Sequence, residues 1–442
     1  MNKAMRLLAL GRSSAFGMIL VTGLSLGASG INFIVQALLA YHFGLGGAVD
    51  SYAFSLSVPL FLAGLIGSIV SYTVVPLIVG DGKDRTRRAA LCGATLSAGA
   101  AMALLLVLLA VPAALLQPLS LPRHSPVAAY PHLSVLIALG WAAAAMQVIT
   151  AVLVAQLTAS GRPVVAAMLW LLPGTGASIS LLLHPALGIV QVATGFLIGC
   201  TAAALVGYSL QRRDIIFQLG HIDTRSEIKD LVRKGAWAAL ALSCFSSFAP
   251  SDAFWAGRMP EGSLASLGYV QRLIIGVGSL IVAGPSALYV PRFAAFVENH
   301  DGQGFARLLM RTLLIVLGAG AIVVTILFIW SDEVVALLFR RGAFSAEDVV
   351  RLGQLFRIMA PGVVAMLAAV ILMRALFCLP RAEMAAAALG VAWSVLYFVL
   401  SGFLHEQSAA GIARSYTISW VLVASAIGAY AFRRISQIRK TP

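Results

Sequence analysis

The chain alternates between long apolar blocks and short polar connections. A helix needs about 20 mainly apolar residues to cross the hydrocarbon of a bilayer, and twelve blocks of about this length follow one another. The longest charged interruption, residues 211–235, divides them into six and six. The predicted spans are 17–40, 52–79, 89–116, 131–158, 164–184, 186–210, 236–257, 264–296, 307–330, 354–379, 382–403 and 409–432.

The pattern predicts an all-α, polytopic membrane protein with about twelve transmembrane helices in two six-helix bundles. Only helices satisfy all their backbone hydrogen bonds within one hydrocarbon-spanning segment, and many transporters are built from two such halves. The predicted divisions are a cytoplasmic N-terminal segment, 1–16, an N-terminal lobe, 17–210, a cytoplasmic linker, 211–235, a C-terminal lobe, 236–432, and a basic cytoplasmic tail, 433–442.

Charge fixes the predicted orientation. Of the 442 residues, 60% are hydrophobic and 11% charged, against about 25% charged in soluble proteins. With a cytoplasmic N-terminus, 22 Lys and Arg residues fall on the cytoplasmic side of the spans and 5 on the other side. Because positive loops stay inside, both termini are predicted to be cytoplasmic. These short loops account for the net charge of +14, which therefore does not indicate a nucleic-acid partner.

Four arginines lie inside predicted spans, where an ionisable group is expensive and marks a functional site by default. They are Arg272, Arg357, Arg374 and Arg414. An arginine within a few residues of a span end can extend its side chain to the membrane interface, which is the simpler interpretation of Arg357 and Arg414. Arg272 and Arg374 remain as substrate-binding candidates. Because a guanidinium donates two parallel hydrogen bonds to a phosphate, they indicate an anionic substrate.

The sequence contains no GxxxxGK[ST] or HExxH motif and no pair of membrane-embedded carboxylates spaced for acid–base work. We therefore predict no catalytic residue, no cofactor and no bound metal. Energy for transport would then come from a coupling ion, H+ or Na+, from the membrane potential, or from consumption of the product.

Several segments resemble the MurJ (MviN) family of lipid II flippases, of the multidrug/oligosaccharidyl-lipid/polysaccharide (MOP) exporter superfamily. Residues 40–52, AYHFGLGGAVDSY, resemble the family's first hairpin, and residues 259–273, MPEGSLASLGYVQRL, resemble the start of its eighth helix. Residues 338–348, LFRRGAFSAED, resemble the family motif "lfeRGaFdaedt". Residues 374–378, RALFC, resemble the family motif "RaFYA". Asp252 resembles the aspartate that ends the family's seventh helix.

The resemblance implies a flippase of the bacterial inner membrane that moves a polyprenyl-pyrophosphate-linked saccharide to the outer leaflet by alternating access, for peptidoglycan or another envelope or exopolysaccharide. It implies phosphate binding by Arg272, with Arg374 as a second candidate. We expect Asp50 and Asp252 to form gating contacts with arginines. We expect an outer amphipathic segment that includes Arg340, Arg341, Gly342 and Phe344, with a plain membrane-surface anchor as the alternative.

The chain also departs from the family. Val35 and Tyr41 stand where two cavity arginines are expected, and span 52–79 has no arginine, which leaves lipid II itself open as the substrate. Two other functions stay open. A MOP-superfamily drug or metabolite antiporter would favour acidic cavity residues over arginines. A membrane-embedded glycosyltransferase or polymerase would need carboxylates and a sizeable loop outside the membrane.

Overall fold

A computed structural model describes residues 14–80, 85–183, 188–212, 235–237, 239–241, 243–299, 301–379, 382–405 and 408–438. Its helices are α1 Ser14–Phe43, α2 Gly47–Gly80, α3 Arg85–Leu116, α4 Leu133–Ala159, α5 Pro163–Leu169, α6 Leu172–Leu183, α7 Ile189–Gln211, α8 Phe248–Ala256, α9 Ser263–Glu298, α10 Gly302–Ile329, α11 Ser331–Phe339, α12 Ala346–Cys378, α13 Glu383–Leu404 and α14 Ala409–Ile438.

The all-α, polytopic prediction is confirmed. Within the described residues, eleven helical segments are long and apolar enough to cross a membrane. They correspond to eleven of the twelve predicted spans, with α5 and α6 together forming the fifth. Which side of the membrane the termini occupy stays a prediction.

The seventh predicted span, 236–257, is not one unbroken helix. Residues 245–247 form a turn, and α8 begins after it. The cause is local, because Pro250 has no N–H to give to the carbonyl of Ser246 four residues earlier. Ser246 and Ser247 instead donate their backbone N–H groups to the carbonyl oxygens of Ser243 (2.8 Å) and Cys244 (3.1 Å). The Ser394 hydroxyl, on α13, also donates to the Cys244 carbonyl at 2.8 Å.

The chain forms two compact units. The first comprises residues 1–39 and 54–239, and the second comprises residues 40–53 and 240–442. The described fold therefore assigns the connection between α1 and α2 to the second unit. The predicted linker 211–235 lies mostly outside the described residues, and the predicted lobe limits stay predictions. The first six residues of the predicted tail continue α14 to Ile438.

In the first unit, α4 packs against α3 and α7, and 16 of its 27 residues are buried. Two glutamines near the C-terminal ends of their helices link neighbouring helices. The Gln156 carboxamide donates to the Cys92 carbonyl and to the Thr95 hydroxyl of α3, both at 2.9 Å. The Gln211 carboxamide of α7 donates to the Leu153 carbonyl at 2.8 Å. Such bonds stabilise helix pairs in lipid, where apolar burial adds little.

In the second unit, α12 packs against α9, α10, α11 and α14. A capping box starts α12, because the Ser345 hydroxyl accepts from the Asp348 N–H at 3.1 Å and the Asp348 carboxylate accepts from the Ser345 N–H at 2.9 Å. Arg351, one turn later, donates to the Ser263 hydroxyl at the start of α9 at 3.0 Å. This contact sets α12 and α9 side by side and at the same level at their first turns.

Candidate functional site

Arg272 lies on α9, nine residues after the helix begins. That spacing corresponds to about 14 Å along the axis, close to half of a hydrocarbon layer about 30 Å thick. Its side chain is exposed, and its guanidinium interacts electrostatically with the buried Tyr52 phenol. The second unit thus presents a positive charge at membrane depth.

Arg374 and Arg272 do not lie close together. The first turns of α9 and α12 are level, and a methyl group placed on Gly278 would touch Met366 and Leu367, so the two helices run parallel in register. Arg272 is therefore level with residue 360, and Arg374 lies about 20 Å further along α12. Arg374 is half-buried. One pyrophosphate cannot contact both guanidinium groups at once.

Asp50 is 2% exposed and sits in the first turn of α2. Its carboxylate accepts hydrogen bonds from the backbone N–H groups of Gly262 at 2.6 Å and Ala265 at 2.7 Å. These amides open α9, where the unpaired N–H groups of a helix favour a negative charge. Glu261 makes the reverse contact, because its carboxylate accepts from the Gly47 N–H that opens α2. We call these two reciprocal caps the α2–α9 latch.

The latch requires a glycine at position 262. Gly262 has φ +80°, the left-handed region, and a side chain there would also collide with the Leu45 carbonyl. The Arg351 guanidinium lies beside it, donating to the Glu261 carbonyl at 3.3 Å, and its charge acts on Asp50. The expected arginine near Asp50 is thus present as a neighbour, while the direct partners of the carboxylate are backbone amides.

The segment Arg340, Arg341, Gly342 and Phe344 follows α11. Both arginines are exposed, and Phe344 is 3% exposed and packs against Phe339 and Tyr269, with ring centroids 5.9 and 6.2 Å apart. The Ala343 N–H donates to the Tyr41 carbonyl at 2.8 Å. The buried Phe344 side chain therefore fixes the turn to the protein interior. The exposed apolar surface near this segment lies instead on α11, where Leu337 is 69% exposed.

Substitution Gly342→Ala is expected to destabilise this turn. Gly342 has φ +62°, and an added methyl group would collide with the Tyr41 carbonyl. The backbone conformation alone costs an alanine about 1–2 kcal/mol. The midpoint of thermal unfolding in detergent should fall by several degrees, about 2–4 °C per kcal/mol. Gly318→Ala, in α10 with open space at its Cα, is the matched control and should not lower the midpoint, because alanine favours a helix more than glycine does.

Asp252, on α8, is 2% exposed. Its carboxylate accepts one hydrogen bond from the Gln271 carboxamide of α9 and another from the Tyr397 hydroxyl of α13. The hydrogen-bond partners that the structure gives Asp252 are thus neutral groups, not the arginines expected from the sequence. Asp252 and Asp50 have different partners, although α9 contributes to both sites through Gln271 and through the amides at its start.

Sequence reasoning did not identify Glu261, Arg351, Gln271 and Tyr397. Gln271 carried a usable signal, because it is a polar residue next to Arg272 in an apolar helix. Val35 and Tyr41 stand where the family pattern has cavity arginines. Val35 is buried, and Tyr41 is 48% exposed. Arg357, treated as an interfacial residue, donates to the Asp332 carboxylate at 2.8 Å in a partly exposed ion pair.

The model of the lipid II flippase MurJ family matches residues 39–440. A curated relative described as a probable lipid II flippase MurJ, from Bdellovibrio bacteriovorus, is 25% identical over 170 residues. That stretch covers 38% of this chain and 32% of the relative, so the chain matches about a third of the relative's length.

Solved structures share the fold. A lipid II flippase MurJ in an inward closed conformation has a TM-score of 0.76 at 14% identity, covering 95% of this chain and 90% of that one. An inward-facing MATE multidrug resistance transporter of the MOP superfamily also has a TM-score of 0.76 at 14% identity, with 96% and 99% covered. A MOP superfamily transporter from Pyrococcus furiosus follows at 0.61 and 13%, with 96% of each chain covered.

Proposed function

Because the chain belongs to the lipid II flippase MurJ family, we propose that it carries a polyprenyl-pyrophosphate-linked saccharide from the inner to the outer leaflet of the bacterial inner membrane by alternating access. The cargo is lipid II or a related precursor of an envelope glycan or exopolysaccharide. The lipid tail stays among membrane lipids while the polar head passes through the protein, driven by H+, Na+ or the membrane potential.

The exposed guanidinium of Arg272 is the observation that carries this proposal. A charge midway through the bilayer is costly beside acyl chains, so an exposed arginine at that depth needs water or an anion as its neighbour. A pyrophosphate supplies oxygens at the spacing that a guanidinium fork bonds twice. Arg374 lies about 20 Å further along α12, so in this proposal it contacts the headgroup earlier or later in the passage than Arg272 does.

The neutral residues at positions 35 and 41 bear on which saccharide is carried. The chain has fewer cationic side chains at these positions than the family pattern. Binding of the headgroup therefore depends more on the single guanidinium of Arg272 and on neutral polar groups than it would with the family's arginines. We infer that the chain recognises the pyrophosphate mainly through Arg272, which suits several lipid-linked oligosaccharides besides lipid II.

The function is tested with purified protein in proteoliposomes that contain a fluorescent lipid-linked saccharide. Loss of fluorescence to a membrane-impermeant quencher reports movement between leaflets. The protein should accelerate movement of polyprenyl-pyrophosphate saccharides, and a matched polyprenol-linked saccharide without phosphate should move no faster than in empty vesicles. Equal movement of both lipids, or of neither, contradicts the proposal.

A drug antiporter is the second candidate, because a MATE transporter matches the fold as well as the flippase does. Antiporters of cations use acidic cavity residues, whereas the two acids predicted to gate this chain are buried and hydrogen-bonded. Deleting the gene distinguishes the two functions. An envelope defect with unchanged drug sensitivity supports the flippase, and drug sensitivity without an envelope defect supports the antiporter.

A further inference from the structure

We propose that Arg340 and Arg341 form a second phosphate-binding site, which receives the pyrophosphate of the lipid-linked saccharide where it leaves the protein for the outer leaflet. We call these two residues the exit pair. The inference rests on the proposed flippase function and adds a later binding step to it. The step is non-covalent, because the guanidinium groups only donate hydrogen bonds to phosphate oxygens.

The exit pair lies at the end of the second unit where α2, α9 and α12 begin. It follows α11 directly, and the next turn donates the Ala343 N–H to the Tyr41 carbonyl at 2.8 Å. Gly44 has φ +58°, and a side chain there would collide with the Ala343 carbonyl. The backbone of the α1–α2 connection therefore lies directly against the turn that carries the two arginines.

The same turn is fixed to the helix that holds Arg272. Phe339 and Phe344, one on each side of the exit pair in sequence, both pack against Tyr269 of α9, with ring centroids 5.3 and 6.2 Å apart. Tyr269 lies three residues, or about one turn, before Arg272. One unit thus carries both candidate phosphate sites, and a headgroup that moves from Arg272 toward the start of α9 approaches the exit pair.

The charge of the exit pair is not compensated within the described part of the chain. Both side chains are exposed, and neither forms an ion pair with a described acid, including the exposed Glu333 and Glu347 of the flanking helices. Arg341 donates to the Leu337 carbonyl at 3.4 Å. Because each guanidinium has five N–H donors, most of them remain for a ligand.

Membrane topology makes such a pair unusual. The predicted outer side holds 5 Lys and Arg residues against 22 on the cytoplasmic side, as the positive-inside rule requires. Two others of the five have protein partners, because Arg351 donates to the Ser263 hydroxyl and the guanidinium of Arg258 lies 3.6 Å from the centroid of the Phe254 ring. Two adjacent exposed arginines on the side that is poor in positive charge indicate an anion that binds there.

The exit pair also replaces a positive charge that the chain lacks nearby. Tyr41 stands where the family pattern has an arginine, and Arg340 stands where the family motif "lfeRGaF" has a glutamate. The structure puts the two segments in contact, since a methyl group added to Gly342 would collide with the Tyr41 carbonyl and ring. Relative to the family pattern, positive charge has moved from the end of α1 to the turn between α11 and α12.

A pyrophosphate suits this site better than the headgroup of a surrounding phospholipid. Two adjacent guanidinium forks can each bond one of two linked phosphates. A segment that anchors in a membrane inserts large apolar side chains beside its arginines, whereas the exposed residues after the exit pair are Gly342, Ala343 and Ser345, and Phe344 is buried. Leu337, one turn earlier on α11, is the exposed apolar neighbour, so the experiment varies the phospholipid.

The test measures flipping of a fluorescent polyprenyl-pyrophosphate saccharide in proteoliposomes made of phosphatidylcholine alone. Arg340→Gln combined with Arg341→Gln should lower the initial rate about tenfold, because hydrogen bonds from charged groups to phosphate are lost. The midpoint of thermal unfolding should stay at the wild-type value, because both side chains are exposed. Arg123→Gln, which removes an exposed arginine between α3 and α4 in the first unit, is the matched control and should flip at the wild-type rate.

A third substitution tests the position of the charge. Adding Tyr41→Arg to the double variant returns a cation to the position that has one in the family pattern, and it should restore most of the lost rate. A double variant that flips at the wild-type rate overturns the exit pair as a phosphate site. A loss of rate that Tyr41→Arg does not restore overturns it as well.

The phospholipid arm separates the two sources of phosphate. A loss of rate that occurs only in vesicles containing phosphatidylglycerol, and not in phosphatidylcholine alone, assigns the exit pair to a phospholipid and overturns the proposal. Each of these results leaves the flippase function standing. No movement of any lipid by the wild-type protein overturns both.

Discussion

Replacing Arg272 with alanine is expected to reduce flipping of a pyrophosphate-linked saccharide about 10- to 100-fold. A hydrogen bond to a charged group contributes about 1.5–3 kcal/mol, and each 1.4 kcal/mol is a factor of ten in binding. The loss should be large because Arg374, the other substrate-binding candidate, lies about 20 Å further along α12 and cannot take over the same contact. The measurement is the initial rate in proteoliposomes, or growth in a strain that depends on this gene.

The conservative variant separates charge from geometry. Arg272→Lys keeps a positive charge but loses the planar fork that bonds two phosphate oxygens, so it should retain an intermediate rate. Arg307→Ala, which removes an exposed arginine near the start of α10, is the matched control and should flip at the wild-type rate. Full activity of Arg272→Ala would remove the basis for phosphate binding by this residue.

The apolar pattern predicted most of the fold, because span length is set by the bilayer and is visible in composition alone. It could not predict the break in the seventh span, where a single Pro250 matters only together with the serines before it. Nor could it predict that residues 40–53 belong to the second unit. That assignment depends on contacts between Asp50 and residues more than two hundred positions away, which leave no periodic signal.

The candidate site was predictable in part for a similar reason. Arg272, Asp50 and Asp252 stand out because charges are rare in apolar blocks. Most of their partners do not stand out, because two are backbone amides and Tyr397 is of a residue type common at helix contacts. Gln271 is the exception, since it is a polar residue next to Arg272 in an apolar helix. The sequence therefore indicates which groups need compensation, while only the fold shows what compensates them.

Replacing Asp50 with alanine is expected to open the α2–α9 latch. The substitution leaves the N–H groups of Gly262 and Ala265 without their acceptor, and each buried unpaired donor costs about 1–3 kcal/mol. We propose that the latch breaks and re-forms in each transport cycle, so a variant that cannot re-form it should lose most of its transport. Hydrogen–deuterium exchange of the peptide that contains residues 262–266 should accelerate at the same time.

Two variants make this result specific. Asp50→Asn retains one carboxamide oxygen as an acceptor but turns an NH2 group toward the other amide, so its exchange and transport should lie between those of the wild type and Asp50→Ala. Asp332→Asn breaks the ion pair with Arg357, which is about one-third exposed on both sides and so contributes at most about 1 kcal/mol. It should leave exchange at 262–266 unchanged. If Asp50→Ala lowers transport without faster exchange there, the aspartate acts elsewhere in the cycle and the latch is not a gate.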